Sequence, residues 1–135
     1  MNAVQQRLHA HRENAATDLA LLSNCIQALF DCAQACTSCA DACLAEDDIG
    51  HLRACIRLNQ DCADVCLATG RLLSRQHEPD WWLLRGALEL AAKATDACGT
   101  ECSRHASMHD HCRLCADVCS ATQGACNQLL VELNR

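Results

Sequence analysis

Residues 25–43 read CIQALFDCAQACTSCADAC, with cysteines at 25, 32, 36, 39 and 43. The steps between them are seven, four, three and four. At about 100° per residue, these five positions fall on one narrow stripe of an α-helix. CRLCADVCSATQGAC over 112–126 repeats the rhythm with steps of three, four and seven, and CIRLNQDCADVC (55–66) and CGTEC (98–102) continue it. A stripe this narrow is the seam that a helix turns toward a bundle interior. Four such stripes aimed at one axis would line the interior with thiols.

Working outward from the stripes, the breakers are few: one proline and five glycines in 135 residues. Alanine, leucine and the long polar residues dominate, which favours helix over strand. The sequence predicts helices over about 14–46, 48–76, 79–105 and 107–133. Asn14 and Asp48 are the expected N-caps of the first two. Glu78-Pro79 serves as cap and first position of the third, and Ser107…Asp110 has the order of a capping box for the fourth. Residues 2–12 form a short extra helix. The fold class is therefore all-α: a single-domain antiparallel four-helix bundle with short connections.

Composition removes several function classes. The net charge is −6 and Lys93 is the single lysine, so no basic surface for nucleic acid or anionic lipid is present. No uninterrupted apolar run approaches the ~18 residues of a membrane span. The first residues lack the basic, apolar and small-residue order of a secretory signal, which reads as a cytoplasmic chain. Fourteen cysteines in a cytosolic setting point to metal or thiol chemistry more than to disulfides.

Other readings of the stripes are weaker. Reduced cysteines are often small core residues, but fourteen in register exceed what packing requires. Cross-helix disulfides would be unusual in a reducing compartment. A redox pair at Cys36/Cys39 or Cys112/Cys115 would lie inside a longer ribbon, away from the helix start of a βαβ unit. Metal remains. The recurring unit is CxxxC: Cys32/Cys36, Cys39/Cys43, Cys62/Cys66, Cys98/Cys102 and Cys115/Cys119. A two-coordinate ion with ~2.3 Å bonds needs sulfurs ~4.6 Å apart, within reach of residues one turn apart. Soft thiolates select Cu(I) and, less exclusively, Zn²⁺. The C-x₂₋₄-C loops of zinc knuckles and the runs typical of iron–sulfur ligation are missing. Cu(I) fits best, in multiple ions per chain. The alternatives are a zinc or thiol buffer of metallothionein type and a thiol–disulfide redox protein. No nucleophile–base pair or phosphate loop suggests an enzyme.

With its repeated CxxxC units and its CTSCADAC (36–43) and CRLCADVC (112–119) segments, the chain resembles the bacterial cytosolic copper storage proteins. These are four-helix bundles whose cysteine-lined interiors hold many Cu(I) ions. The resemblance spans 14–133. It implies metal ligation by Cys25, Cys32, Cys36, Cys39, Cys43, Cys55, Cys62, Cys66, Cys98, Cys102, Cys112, Cys115, Cys119 and Cys126. It also implies a homotetramer and a histidine-lined mouth. Copper ions are the expected partners, with a copper chaperone as a further one.

The antiparallel order brings the 46–50 and 105–110 turns together. His51, His105, Met108, His109 and His111 gather there as candidates for metal admission. By helical arithmetic His51, His105 and Met108 share the cysteine face. Helix three carries only two cysteines, its face continuing through Leu84, Ala87, Ala91 and Ala94. The far end, with Trp81, Trp82, Leu84, Leu129, Leu130 and Leu133, should be an apolar plug. Ile26, Phe30 and Leu44 suit either an interface or packing within the monomer.

Overall fold

The computed structural model describes residues 1–11 and 18–134. Among these, five helices follow in order: α1 (Ala3–His9), α2 (Leu19–Leu44), α3 (Arg53–Ser74), α4 (Trp81–His105) and α5 (Asp110–Leu133), with a 3-10 turn at Ile49–His51. α2 packs on α3 and α5, and α4 packs on the same two helices. Sulfur contacts fix the direction: Cys25 meets Cys126 while Cys43 lies beside Cys112, so α2 and α5 are antiparallel. The bundle is the expected up-down-up-down arrangement, with α1 laid against α2.

The helices are shorter than the sequence predicts, because the expected caps are used elsewhere. The Asn14 cap lies outside the described residues. The Asp18 side chain caps α2, accepting from the backbone N–H of Ala20 and Leu21 at 2.8 and 3.1 Å. Asp48 caps nothing with its side chain, which is turned to His109, and α3 starts five residues later at Arg53. Glu78 and Pro79 precede α4. Glu78 has φ +46°, in the left-handed region, and a following proline disfavours αR at its position. Asp80 then provides the cap. α5 begins at Asp110, with His109 rather than Ser107 at the cap position. α1 begins on a capping box of Asn2 and Gln5, which satisfies two otherwise unpaired donors.

The interior has two halves. Toward the 75–80 connection it is hydrocarbon: Leu22, Leu29, Leu73, Leu88 and Leu129 are fully buried, each contributing about 1.5–3 kcal/mol. Only Trp81 of the expected tryptophan pair packs there, and Trp82 is 80% exposed. Trp81 lies one turn before Leu84 on the buried seam of α4, whereas its neighbour is rotated ~100° away. That seam runs Leu84, Leu88, Ala91, Thr95, Cys98, Cys102; Leu88 and Thr95 take the seats expected for Ala87 and Ala94, which are half-buried. Ile26 is buried within the monomer, Phe30 is half-buried and Leu44 is exposed.

α2 is long and apolar enough to cross a membrane by length and composition alone. The sequence reading missed this because Ser23, Asn24, Gln27 and Asp31 interrupt the run. In the bundle, its cysteine face meets α3 and α5.

Two glycines mark close approaches, Gly70 against the Phe30 ring and Gly99 against α5. A Cβ on Gly99 would stand 3.1 Å from the Cβ of Cys119, an atom tied to the α5 backbone. Gly99→Ala gains about 1 kcal/mol of helix propensity against about 1–3 kcal/mol of overpacking, so a lower apo melting temperature is expected. Gly124 on α5 faces open space, and Gly124→Ala is expected to raise it. Opposite signs in thermal melts of the two variants check the contact, and a stabilised Gly99→Ala protein would contradict it.

Candidate metal centre

All 14 cysteines are free thiols and all are buried. Twelve of them form one connected column, and Cys25 and Cys126 form a separate pair beyond the buried Leu29 and Thr122. Nearest the leucine half, Cys25 donates to Cys126 at 3.9 Å. Next, Cys32 lies 3.8 Å from Cys36, 4.0 Å from Cys62 and 3.9 Å from Cys119, while Cys62 meets Cys66 at 3.8 Å. Cys36 then reaches Cys98 at 3.9 Å and Cys115 and Cys119 at 3.8 Å. Cys55 and Cys102 are 3.5 Å apart. At the mouth, Cys39, Cys43 and Cys112 surround His111.

These separations are shorter than the ~4.6 Å of a linear two-thiolate site. With ~2.3 Å bonds, three thiolates around one ion stand about 4.0 Å apart and four about 3.8 Å apart. Sulfurs at 3.5–4.0 Å, gathered into groups from two or three helices, therefore suit shared, bridging ligation. Ligand atoms within 4.8 Å of one another define the groups Cys32/Cys36/Cys62/Cys119, Cys36/Cys98/Cys115/Cys119, Cys39/Cys102/Cys115 and Cys39/Cys43/His111/Cys112. The first two interlock through Cys36 and Cys119.

Asn59 completes the column and was missed in the sequence. It is fully buried on α3. Its Oδ1 accepts from Cys98 and Cys115 at 3.1 Å and from Cys102 at 3.7 Å, and its Nδ2 donates to Cys55 at 3.5 Å. The signal was the seven-residue step from Cys55 to Cys62, which skips one inward seat. The same gaps on α2 and α5 hold Leu29 and Thr122, both buried.

Burial and mutual hydrogen bonding move the thiols away from their ordinary pKa. At the mouth burial dominates: it pushes Cys43 up to about 11 and Cys112 up as well. Deeper, neighbouring thiols dominate. Cys36 is pushed up, first by Cys115, whereas Cys62 and Cys115 are held down, first by Cys119 and Cys102 respectively. Cys112 lies in the first turn of α5, but among the described residues no strand precedes that helix, so the βαβ setting of a redox CxxC is missing. It is buried with a raised pKa, the reverse of a reactive low-pKa thiol.

The five candidates for metal admission divide. His111 faces the thiols, with Nδ1 3.6 Å from Cys39, 4.0 Å from Cys43 and 3.5 Å from Cys112, while Nε2 is 3.3 Å from Glu46. Burial would lower its pKa, but Cys39 and then Glu46 outweigh that and hold it above the usual value. His109 stacks on His111 at 5.2 Å and contacts Asp48 and Glu46. The His109 contact in turn holds the Asp48 carboxyl below its usual range. His105 is turned to Glu101 at 3.4 Å. His51 is exposed in the 3-10 turn, and Leu52, fully buried, takes the inward position there. Met108 is 67% exposed in the α4–α5 turn. The helical register that put His51 and Met108 on the cysteine face fails because both precede their helices.

A helical bundle whose interior is a column of free thiols, with imidazoles at one end, is built to hold several soft metal ions; it is a thiolate metal-store scaffold. The copper storage protein family matches residues 19–131, and the chain belongs to that family. The chain is similar to the copper storage protein Ccsp of Streptomyces lividans loaded with 10 copper equivalents: 44% identity, 96% of this chain and 99% of that chain covered, TM-score 0.94. A second structure from that organism, described as a cytosolic copper storage protein with five coppers, shares 48% identity over 83% of this chain and 93% of that chain, TM-score 0.82. Cu(I)-bound copper storage protein BsCsp3, of Bacillus subtilis, shares 36% identity over 77% of this chain and 92% of that chain, TM-score 0.69. An uncharacterized cysteine-rich protein of Bacillus subtilis, YhjQ, is 38% identical over 78% of this chain and 92% of its own length.

Proposed function

We propose that this chain stores Cu(I), many ions at a time, on the thiolates of the bundle interior. The observation that carries the reading is the interlocked pair of four-thiol groups sharing Cys36 and Cys119. Thiolates at this spacing select a soft ion. Charge favours a monovalent one. Four thiolates around a divalent ion leave two buried negative charges per site, whereas bridging thiolates in near-equal number with Cu(I) cancel. Pairwise ligation would give about 7 ions and full bridging about 14. The 10 equivalents of the Streptomyces relative fall between these bounds.

Ions enter at the α2–α3 and α4–α5 turns, where the His111 imidazole presents Nδ1 to Cys39, Cys43 and Cys112. The store works in the cytoplasm, where thiols stay reduced, as a homotetramer supplied by a copper chaperone. Exposed Trp82, Leu83 and Leu90 on α4 provide apolar surface for subunit contacts. The chain is read as a store and not as an enzyme.

The four-thiol group Cys32/Cys36/Cys62/Cys119 also suits tetrahedral zinc, so the test separates the two. Anaerobic loading with Cu(I), followed by metal and thiol counts per chain, is expected to give at least about 7 ions that resist a competing chelator. Retention of only one or two Cu(I), or displacement of Cu(I) by Zn²⁺, would overturn the reading.

A further inference from the structure

Bordering the thiol column, and sharing His111 with its outermost group, Glu46, His109 and His111 form a cluster of different chemistry, with ligand atoms within 4.8 Å of one another. The Glu46 carboxylate lies between the rings: Oε2 is 3.4 Å from His109 Nδ1, and Oε1 is 3.3 Å from His111 Nε2. A tetrahedral ion with bonds near 2.0–2.1 Å holds its nitrogen and oxygen ligands about 3.3–3.4 Å apart. Each imidazole nitrogen already stands at that distance from one carboxylate oxygen of Glu46.

The far side of each ring is also engaged. Asp48 Oδ2 is 3.1 Å from His109 Nε2, the carboxylate–histidine pairing that orients metal-binding imidazoles. His111 is held in turn by Cys39 and Cys112 through Nδ1. The side chains of His109, His111 and Glu46 are 10%, 22% and 34% exposed, so water can reach the cluster to complete an ion's coordination. Two imidazoles and a carboxylate are borderline-to-hard donors. They suit a divalent transition ion, while Cu(I) is drawn to the softer thiolates beyond them.

We propose that Glu46, His109 and His111 form a separate site for one divalent ion of the Zn²⁺ class, seated across the mouth of the store. Its effect on Cu(I) follows from His111. A neutral imidazole has one lone pair. With Nε2 on the outer ion, Nδ1 faces Cys39, Cys43 and Cys112 as an N–H donor and cannot pass Cu(I) inward. The outer ion therefore closes the store. The closing effect rests on the storage reading; the site itself does not.

The experiment uses full-length protein filled anaerobically with Cu(I), then titrated with Co²⁺ as a spectroscopic stand-in for Zn²⁺. One Co²⁺ per chain is expected, with the visible bands of nitrogen and oxygen ligation and without intense sulfur-to-cobalt charge transfer. Glu46→Gln and His109→Ala should lose it, with helicity checked by circular dichroism, and His9→Ala should keep it. Asp48→Asn should weaken it about 10- to 100-fold, as expected for loss of an orienting partner. Zn²⁺ should slow chelator removal of Cu(I) severalfold in the wild type and not in Glu46→Gln. Absence of bound Co²⁺, a spectrum dominated by sulfur charge transfer, or binding indifferent to Glu46→Gln would overturn the site. The Cu(I) count in the same samples reports separately on storage: a chain that fails to fill yet shows the sulfur-free spectrum keeps the outer site and loses the storage reading.

Discussion

Apo protein is expected to lose stability steeply as the pH rises above about 9, while the Cu(I)-filled protein keeps its melting temperature over the same range. The sign follows from the thiols. Cys25, Cys36, Cys43, Cys55, Cys66, Cys98, Cys102, Cys112 and Cys119 are pushed above their ordinary value of 9.0 in the fold. Above pH 9 the unfolded chain releases those protons and the folded chain retains them. The folded state then binds more protons, so stability falls with pH. Cys32, Cys39, Cys62 and Cys115 are held below 9.0. Their contribution is complete by pH 9 and does not offset the loss above it.

Each retained proton costs about 1.4 kcal/mol of stability per pH unit. Cys43, pushed up to about 11, sets a window from pH 9 to 11. A few thiols acting together across that window match the 5–15 kcal/mol that holds an ordinary domain folded. Filling with Cu(I) removes these protons beforehand, since only thiolates bind the ion. The alkaline slope should vanish, and loading near neutral pH should release protons. Denaturant melts at pH 8, 9, 10 and 11, apo and filled, provide the check. A flat apo profile between pH 9 and 11 would show that the core tolerates bare thiolates.

The bundle and its thiol seams were legible because both depend on helical period alone. Cys32, Cys36, Cys39 and Cys43 sit one turn apart whatever surrounds them, and burial follows once four such stripes share an axis. Helix starts were harder to read, since a cap is a local rule that tertiary contacts can override. Asp48 is a good N-cap residue, but its carboxylate is held by His109 from the other side of the mouth, sixty-one residues away. The same contact occupies the ring at the start of α5 and moves that helix past Ser107. Once those starts moved, the face assignments of His51 and Met108 moved with them. Asn59 escaped because polar residues are read as solvent-facing unless the period is followed through the gap. Its seat lies within the cysteine stripe, four residues after Cys55 and three before Cys62.

Copper capacity should depend on where a thiol sits, and the interlocked groups say how. Cys36 lies 3.8–3.9 Å from Cys32, Cys98, Cys115 and Cys119, on α2, α4 and α5. It belongs to both four-thiol groups. Cys25 contacts Cys126 at 3.9 Å at the edge of the leucine half. Both are fully buried, so Cys36→Ala and Cys25→Ala empty similar volumes and should lower apo stability by similar amounts, on the order of 1 kcal/mol. Their copper counts should differ. Removing a thiolate shared between two groups should cost about two ions or more, and removing an edge thiolate about one at most. The measurement is metal per chain after anaerobic saturation and gel filtration, with apo melts confirming that both variants fold. Equal losses would mean that the thiols act as independent pairs. A larger loss at Cys36 would mean that the store fills as one connected thiolate network, centred where the Cys36 thiol meets those of α4 and α5.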